Sequence, residues 1–335
     1  MNILAAPLII DSPDETLGGE WRLAPGFYPG WAAIEVHARG FKTAPDFTLV
    51  GHPGDPGMRW ASGVAFWPGP SLDLGGADLQ GTIAGFPIGI AIAAGMASAF
   101  IHDLDVSGAI LGIATNGKRW TDPNGTAQEW VTTPWLRIER CHFHDALGGD
   151  GFHLSNTSGL TVKDVLSSTQ LKLSYQCHGA QFTRVTSPGG NLEMSVDGPG
   201  TAWPWSWPAT PQHVVFSKCN FLRGLDPDRH PRNLWEVTGN VTADFKDCNF
   251  SQAMLLDGSA WCMGAGISAS AFGPEGSGLP WVLGSGNTFR HFATPYPNNP
   301  EPGGLVLFPG ARANWGDAQF IAMNKAIGCK SLVRL

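Results

Sequence analysis

The segment Leu136-Arg-Ile-Glu-Arg-Cys-His-Phe143 decides the fold of this chain, because two later segments repeat its pattern. They are Val214-Val-Phe-Ser-Lys-Cys-Asn-Phe221 and Ala243-Asp-Phe-Lys-Asp-Cys-Asn-Phe250. Each segment reads apolar, variable, apolar, two polar residues, Cys, polar, Phe. Because alternate side chains of a strand face one side, the pattern predicts two short strands joined at a polar corner, with positions 1, 3, 6 and 8 facing inward.

Four further segments fit the same frame, and each places polar residues or glycines at the predicted corner. The seven corner pairs are Gly75-Gly76, His102-Asp103, Glu139-Arg140, Lys163-Asp164, Thr183-Arg184, Ser217-Lys218 and Lys246-Asp247. The frame repeats about every two dozen residues, plus loops, and such a period is typical of a solenoid. We therefore expect the third frame positions to stack in one buried column, which contains Ile138, Phe182, Phe216 and Phe245.

A second series of short apolar strands lies between the members of the first. Its clearest members are Gly151–Leu154, Leu171–Leu173, Leu192–Met194 and Leu234–Val237. Two strands that meet at a tight corner, with a third that completes the turn, resemble the pectin-lyase-like right-handed β-helix family. The resemblance implies an all-β protein, a right-handed single-stranded parallel β-helix of about eight to eleven coils.

The repeat also predicts how the chain is divided. We expect residues 1–25 to form an N-terminal attachment arm and residues 26–310 to form the parallel β-helix. Within it, Gly/Pro/Trp-rich stretches predict loop insertions near 116–134 and 197–211. Residues 311–335 would then form a C-terminal cap.

Three of the six cysteines, Cys141, Cys219 and Cys248, occupy inward positions of the repeat. They could form a metal or redox cluster, or they could serve as small apolar residues stacked in a ladder. We favour the ladder, because free cysteine is among the most buried residue types and no CxxC pair is present. We therefore expect no metal site and no cofactor.

The outward face of the second series carries a polar stripe made of His153, Lys172, Glu193 and Glu236, with Asp150 just upstream. In the family that this chain resembles, this face often carries a saccharide groove and its catalytic carboxylates. A glycoside hydrolase requires a pair of carboxylates. The stripe does not group its carboxylates but mixes negative and positive charges. We assign no catalytic residue, and if the protein is an enzyme we expect these five residues to act.

Trp203, Trp205 and Trp207 lie in the second predicted insertion, in the sequence Trp203-Pro-Trp-Ser-Trp207. Aromatic rings present large apolar faces on which sugar rings can pack, but the same loop could simply pack against the solenoid or a neighbouring subunit. As glycan-binding residues we predict these three tryptophans together with His153, Lys172 and Glu193. Trp120, Trp130 and Trp135, in or beside the first insertion, allow the same two interpretations.

Composition and charge argue against some classes of partner. Charged residues make up 15% of the chain and the net charge is −7, so a nucleic-acid partner, which needs clustered Lys and Arg, is not expected. The start of the chain lacks the basic region of a secretory signal peptide. We also expect no membrane insertion, since the uncharged stretch from Leu79 to Ile101 alternates with a strand period rather than a helical one.

The segment Trp21-Arg-Leu-Ala-Pro-Gly-Phe-Tyr-Pro-Gly30 resembles the start of the β-helix in spikes of phages and phage-like particles. The resemblance implies a virion spike or fibre, on the head or the tail, that is assembled in the host cytoplasm and binds surface polysaccharide. It also implies a homotrimer, attached to a particle base or a tail or capsid protein through the arm. The alternatives are a polysaccharide depolymerase, either a lyase or a glycoside hydrolase, and a bacterial surface adhesin.

Overall fold

The computed structural model describes 15 segments of the 335-residue chain: 1–66, 75–93, 98–116, 135–146, 150–155, 157–174, 177–194, 212–223, 234–252, 265–270, 280–292, 304–307, 311–313, 316–329 and 331–334. The chain divides into two compact units, residues 1–170 and 171–335. Each unit is described by itself. Both predicted insertions, 116–134 and 197–211, lie almost wholly outside the described segments.

Unit 1 consists of short strands with one 3-10 turn at Pro56–Met58. The strands are β1 (Asn2–Leu4), β2 (Leu8–Ile10), β3 (Thr16–Leu17), β4 (Glu20–Leu23), β5 (Ala32–Val36), β6 (Lys42–Thr43), β7 (Thr48–Val50), β8 (Ser62–Phe66), β9 (Ala77–Ala84), β10 (Ile88–Ala93), β11 (Ala99–Ser107), β12 (Leu111–Asn116), β13 (Leu136–Glu139), β14 (His142–His144), β15 (Asp150–Ser155), β16 (Thr161–Lys163) and β17 (Leu166–Ser167).

Unit 2 continues in the same manner and has one helix, α1 (Asp317–Met323), near its end. Its strands are β18 (Gln170–Ser174), β19 (Ala180–Thr183), β20 (Thr186–Ser187), β21 (Gly190–Met194), β22 (Gln212–Ser217), β23 (Asn220–Arg223), β24 (Trp235–Gly239), β25 (Val241–Lys246), β26 (Asn249–Gln252), β27 (Ile267–Ser270), β28 (Trp281–Ser285), β29 (Thr288–Arg290), β30 (Leu305–Leu307), β31 (Arg312–Ala313), β32 (Lys325–Ile327) and β33 (Val333–Arg334).

Strands of successive coils pair in parallel and in three columns within each unit. In unit 1 the columns are β3-β6-β9-β11-β13-β16, β1-β4-β7-β9-β11-β14-β17 and β2-β5-β8-β10-β12-β15. In unit 2 they are β19-β22-β25-β28-β31, β20-β23-β26-β29-β32 and β18-β21-β24-β27-β30-β33. We call these, in order, the first, second and third columns.

Three stacked columns of parallel strands confirm the predicted all-β parallel β-helix. The third column has six strands in each unit, so the number of coils is close to the upper end of the eight to eleven that the sequence predicts. At the two ends of the chain most strands are only two or three residues long, too short for the repeat frame to be recognisable.

The corner between the first and second columns has the same backbone conformation in successive coils. The second corner residue has a positive φ, between 47° and 55°, at Asp103, Arg140, Asp164, Arg184, Lys218 and Asp247. The amide of Arg140 donates at 3.0 Å to the carbonyl of Lys163, the first corner residue of the next coil. These residues confirm six of the seven predicted corner pairs. β-branched residues are disfavoured at this conformation, so the polar character of the corner has a backbone cause.

The prediction for Gly75-Gly76 was wrong. Ala77 and Leu79 pair with Ala99 and Ile101, so they are the first and third frame positions of their coil. The corner of that coil therefore lies at Gln80-Gly81, where Gly81 has a φ of 105°. Gly76 instead lies just before β9, at the turn into the first column.

The interior of each unit is apolar, but the two interiors differ in residue type. In unit 1, Ile101, Ile138 and Val162 are register partners and are fully buried. In unit 2, Phe182, Phe216 and Phe245 are register partners, also fully buried, with successive ring centroids 4.8 Å apart. The predicted burial of the third frame positions is confirmed in both units.

The inward cysteines are buried as predicted. Cys141, Cys219 and Cys248 are each at most 2% exposed. Burial raises the pKa of the Cys141 thiol to about 12, which keeps it protonated and unreactive at neutral pH. These properties fit the interpretation of the cysteines as apolar residues in a ladder.

Glycines allow the third column of unit 1 to approach the rest of the coil closely. Gly89 lies beside Gly63 and Gly112 in the register of β8, β10 and β12. A Cβ on Gly89 would lie 2.5 Å from the carbonyl oxygen of Gly112 and 2.7 Å from a methyl group of Val106. The abundance of glycine therefore reflects close packing as well as turns.

The ends of the chain are part of the strand columns. Residues 1–25, the predicted arm, contain β1 to β4, and β1 and β2 pair with β4 and β5. In residues 311–335, β31, β32 and β33 continue the pairing, and Phe320 of α1 is fully buried. No helix formed by the described residues is long and apolar enough to cross a membrane.

Candidate functional site

The residues of the polar stripe predicted on the third column do not all lie opposite one another. Lys172 pairs with Asn191, and Asn191 pairs with Glu236. Glu193 lies two residues further along and pairs with Ser174 and Thr238. Lys172 and Glu193 are therefore in neighbouring strands but are not opposite each other, and Glu193 and Glu236 are not a register pair.

The other residues predicted for the site are distributed between the two units. His153 lies on β15 of unit 1, where it pairs with Ala114. Asp150 opens the same strand, whereas Lys172, Glu193 and Glu236 belong to unit 2. Trp203, Trp205 and Trp207 lie outside the described segments, so their part in binding stays a prediction.

The structure reveals a second charged surface, which the sequence analysis missed, on the outer face of the first column in unit 1. We call it the corner cluster, and it consists of Asp78, His102, Asp103, Arg137, Glu139 and Arg140. Strands β9, β11 and β13 contribute the first five of these residues, and Arg140 directly follows β13. Because β11 and β13 are in register at Phe100 with Arg137 and at His102 with Glu139, their outward side chains form two adjacent rows.

His102 joins two carboxylates in the corner cluster. Its Nε2 lies 2.7 Å from Oδ1 of Asp78, and its Nδ1 lies 2.6 Å from Oδ2 of Asp103. The imidazole side chain is only 14% exposed. The ring therefore has a fixed orientation, and the two carboxylates are held on opposite sides of it.

Two arginines complete the corner cluster. Arg140 donates through Nε and Nη2 to the two oxygens of Asp103, both at 2.7 Å, while Arg137 donates to Glu139 at 2.8 Å. Hydrogen bonds from Arg140 and then His102 hold the pKa of Asp103 well below its usual range. The hydrogen bond from Arg137 lowers the pKa of Glu139.

Aromatic side chains border this network. The ring of Phe100 stacks on the imidazole of His102 with centroids 4.2 Å apart, and the guanidinium of Arg137 lies 4.6 Å from the Phe100 centroid. Trp135, two residues before Arg137, is 69% exposed. The corner cluster thus presents fixed charges and hydrogen-bonding groups, and exposed Trp135 lies two residues before one of them in the sequence.

A second group of titratable side chains lies on the second column of unit 1, beyond the corner. His144 Nε2 is 2.9 Å from Asp105 Oδ1, and His142 Nδ1 is 3.3 Å from Asp105 Oδ2. His144 also contacts Asp145 through Nδ1 at 2.7 Å. Hydrogen bonding to Asp105, and secondarily to Asp145, raises the pKa of His144. We call Asp105, His142 and His144 the histidine triad.

A shallow depression of about 420 Å³ lies in unit 1 near the Pro-Gly-Phe-Tyr segment, lined in part by Tyr28, His52 and Asp55. The Tyr28 hydroxyl donates to Asp55 at 2.9 Å, which raises the pKa of Tyr28 and contributes to lowering that of Asp55. The Tyr28 ring packs edge-on against His52. These groups are paired with one another, as are those of the corner cluster.

The strand columns and the corner cluster define the class of this chain, a parallel β-helix protein with a charged, aromatic-bordered outer face. No protein-family profile matches the sequence, and no curated protein matches it either. Among solved structures it is similar to tailspike protein 3 of bacteriophage CBA120, at 9% identity and a TM-score of 0.31. That alignment covers 97% of this chain and 55% of the tailspike, so the chain spans about half of its length.

Proposed function

We propose that this protein is the β-helical part of a virion spike or fibre that binds a host cell-surface polysaccharide. The observation that carries the proposal is the corner cluster, with exposed Trp135 two residues before Arg137 in the sequence. Sugar hydroxyls are recognised by fixed hydrogen-bonding groups, and sugar rings pack on exposed aromatic faces. Arg137, which lies between Trp135 and Glu139 in sequence and bonds Glu139, connects the two kinds of contact.

The pairing of the carboxylates favours binding over cleavage. A glycoside hydrolase needs one carboxyl group that stays protonated and a second that is ionised. Asp103 and Glu139 both have lowered pKa values because arginines donate to them, so neither is suited to donate a proton near neutral pH. This supports a receptor-binding role, with polysaccharide depolymerase activity as the alternative.

The remaining sequence predictions belong to the same proposal. Trp203, Trp205 and Trp207, together with His153, Lys172 and Glu193, would extend the glycan-binding surface. The first coil, formed within residues 1–25, would attach the protein to a particle base or a tail or capsid protein. We further propose a homotrimer, and light scattering that gives a mass of 35.6 kDa at micromolar concentration would contradict it.

The binding proposal is tested by measuring affinity on a panel of bacterial capsular and O-antigen polysaccharides. We expect Trp135→Ala and Arg137→Ala each to weaken binding. Lys246→Ala is the matched control, because Lys246 forms a 2.8 Å ion pair with Asp244 on the same outer face in unit 2. An equal loss with Lys246→Ala, or no change with the two unit 1 variants, would place binding elsewhere on the molecule.

Two further measurements separate the parts of the proposal. Removing Trp203, Trp205 and Trp207 together should weaken binding by more than tenfold, if each stacked ring contributes about 0.5–1.5 kcal/mol. The second measurement is an assay for new reducing ends or unsaturated products after incubation with the polysaccharide. If such cleavage occurs, and Glu193→Gln abolishes it while binding survives, the protein is a depolymerase.

A further inference from the structure

The histidine triad brings Asp105 together with two histidines that lie 37 and 39 residues later in the sequence. Asp105 of β11 and His142 of β14 are register partners, and His144 follows two residues later on the same strand. Because alternate residues of a strand face one side, all three side chains lie on the outer face of the second column. We propose that Asp105, His142 and His144 bind a divalent transition-metal ion of the zinc class.

The donor atoms lie close enough together to hold such an ion after small movements. Zinc binds imidazole nitrogen and carboxylate oxygen at about 2.0–2.2 Å, so two ligands at tetrahedral angles lie about 3.3–3.5 Å apart. Asp105 Oδ2 and His142 Nδ1 are 3.3 Å apart, which matches this spacing. Asp105 Oδ1 and His144 Nε2 are joined by a hydrogen bond at 2.9 Å, and they would move apart by about 0.5 Å to bind the ion. One ligand atom from each of the three residues lies within 4.8 Å of the other two.

The chemistry of the donors sets the preference among metals. Two imidazoles and one carboxylate suit zinc, cobalt, nickel and copper, whereas magnesium and calcium prefer oxygen ligands alone. The side chains of Asp105, His142 and His144 are 40%, 43% and 29% exposed. A bound ion would therefore reach solvent, and water would complete its coordination.

An outer carboxylate and ring packing orient the two imidazoles. His144 Nδ1 lies 2.7 Å from Asp145 Oδ2, which is the arrangement by which a carboxylate commonly fixes the orientation of a metal-binding histidine. The rings of His142 and His144 stack with centroids 4.4 Å apart and an interplanar angle of 22°. The triad would need only small side-chain movements to take up an ion.

A site of this kind would cross-link neighbouring coils, because β11 and β14 are successive strands of the second column. It departs from the sequence expectation of no metal site. Among the residues that the structure describes, the triad is the one such group of histidine, cysteine and carboxylate ligands. The inference does not depend on the proposed glycan binding, since the triad lies on the other side of the corner.

The test is titration of the full-length, chelator-treated protein with Co²⁺, followed by visible absorption, and competition with Zn²⁺. We expect one Co²⁺ per chain with new visible bands that Zn²⁺ removes, and a higher melting temperature in the presence of Zn²⁺. His142→Ala, His144→Ala and Asp105→Asn should each weaken binding at least tenfold. Asp145→Asn should weaken it less, because Asp145 would act through His144.

His102→Ala is the matched control, because His102 also lies between two carboxylates on the outer face of unit 1. It should leave the cobalt bands and the Zn²⁺ effect unchanged. The proposal is overturned if wild-type protein binds Co²⁺ no more tightly than the His142→Ala/His144→Ala double variant, or if His102→Ala loses binding equally. Asp105→Asn nearly preserves side-chain size, so a folded Asp105→Asn variant that retains full affinity would also overturn it.

Discussion

The two units share one backbone plan but differ on the outer face of the first column. In unit 1 that face carries the corner cluster, in which His102, Asp103 and Arg140 form a connected network of ion pairs. At the equivalent corners of unit 2 the pairs are Thr183-Arg184, Ser217-Lys218 and Lys246-Asp247, and the ion pair between Lys246 and Asp244 lies nearby. The backbone conformation of the corner is the same in both units, whereas the outward side chains differ between them.

The interiors differ in a complementary way. The third frame positions of unit 1 are aliphatic, such as Ile101 and Ile138, whereas three successive positions of unit 2 are the stacked rings of Phe182, Phe216 and Phe245. Both interiors are fully buried at these positions. Stability is therefore built from different residues in the two units, while the connected network of the corner cluster lies in unit 1. The comparison predicts that core substitutions will have larger effects than corner substitutions.

The largest effect is expected in the phenylalanine stack. The ring of Phe216 stacks on those of Phe182 and Phe245, and its centroid lies 4.7 Å from that of Trp235. Phe216→Ala therefore removes a ring from the centre of the stack. We expect a loss of about 3–5 kcal/mol in the free energy of unfolding, measured by urea denaturation. Ile138→Val in unit 1 should cost only about 0.5–1.5 kcal/mol. Equal losses of unfolding free energy in the two variants would show that the phenylalanine stack contributes no more to stability than an aliphatic core position.

The glycines of the third column should give the next largest effect. Gly89→Ala would place a methyl group against the backbone of Gly112 and the side chain of Val106. We expect it to destabilise unit 1 by about 1–3 kcal/mol through overpacking. Gly30→Ala is the control, since nothing lies within 4 Å of a Cβ at Gly30. A neutral Gly89→Ala would mean that the coils relax easily at this position.

The fold was predictable because its frame has a local cause. The corner needs residues that accept a positive φ, and the flanking positions must alternate, so both requirements appear in the sequence at fixed spacing. The assignment at Gly75-Gly76 failed because glycine fits any turn, and this pair serves a different turn from the corner at Gln80-Gly81. The weak coils at the two ends have strands too short for alternation to be recognised.

The candidate site was much less predictable. A shift of two residues leaves every side chain of a strand on the same face, so alternation could not show that Lys172 pairs with Asn191 instead of Glu193. The corner cluster was missed for another reason. Any exposed strand carries polar residues, and only the register of β9, β11 and β13 brings Asp78, His102 and Arg140 together.

The corner cluster should make the protein sensitive to acid. Hydrogen bonds lower the folded-state pKa of Asp103 below its unfolded value of about 4, so its stabilisation is complete above that pH and is lost as the pH falls further. Since the side chain is 47% exposed, we expect a contribution below about 1 kcal/mol. Melting temperature measured from pH 6 to pH 2.5 should fall less steeply in Asp103→Asn than in wild type.

The control for this pH dependence is Lys218→Gln, at the same corner position in unit 2. Lys218 has the same backbone conformation, with a φ of 54°, but its side chain is not a carboxylic acid. Its melting temperature should follow the wild-type slope. A slope in Asp103→Asn as steep as in wild type would show that other carboxylates account for the acid sensitivity.

The smallest effect concerns the corner backbone itself. Lys218 and Arg140 have φ values of 54° and 52°, a conformation that costs a residue with a side chain roughly 1–2 kcal/mol and costs glycine nothing. Glycine loses more backbone entropy on folding, by roughly 0.5–1 kcal/mol, so Lys218→Gly should stabilise the protein by about 0.5 kcal/mol in urea denaturation.

Arg140→Gly receives the same backbone benefit but loses the hydrogen bonds to Asp103. It should therefore stabilise less than Lys218→Gly, or destabilise, and the difference should shrink at high salt because screening weakens exposed ion pairs. If the two substitutions gave the same gain at low salt, the corner cluster would add nothing to stability, and ligand binding would be the better explanation for its charges.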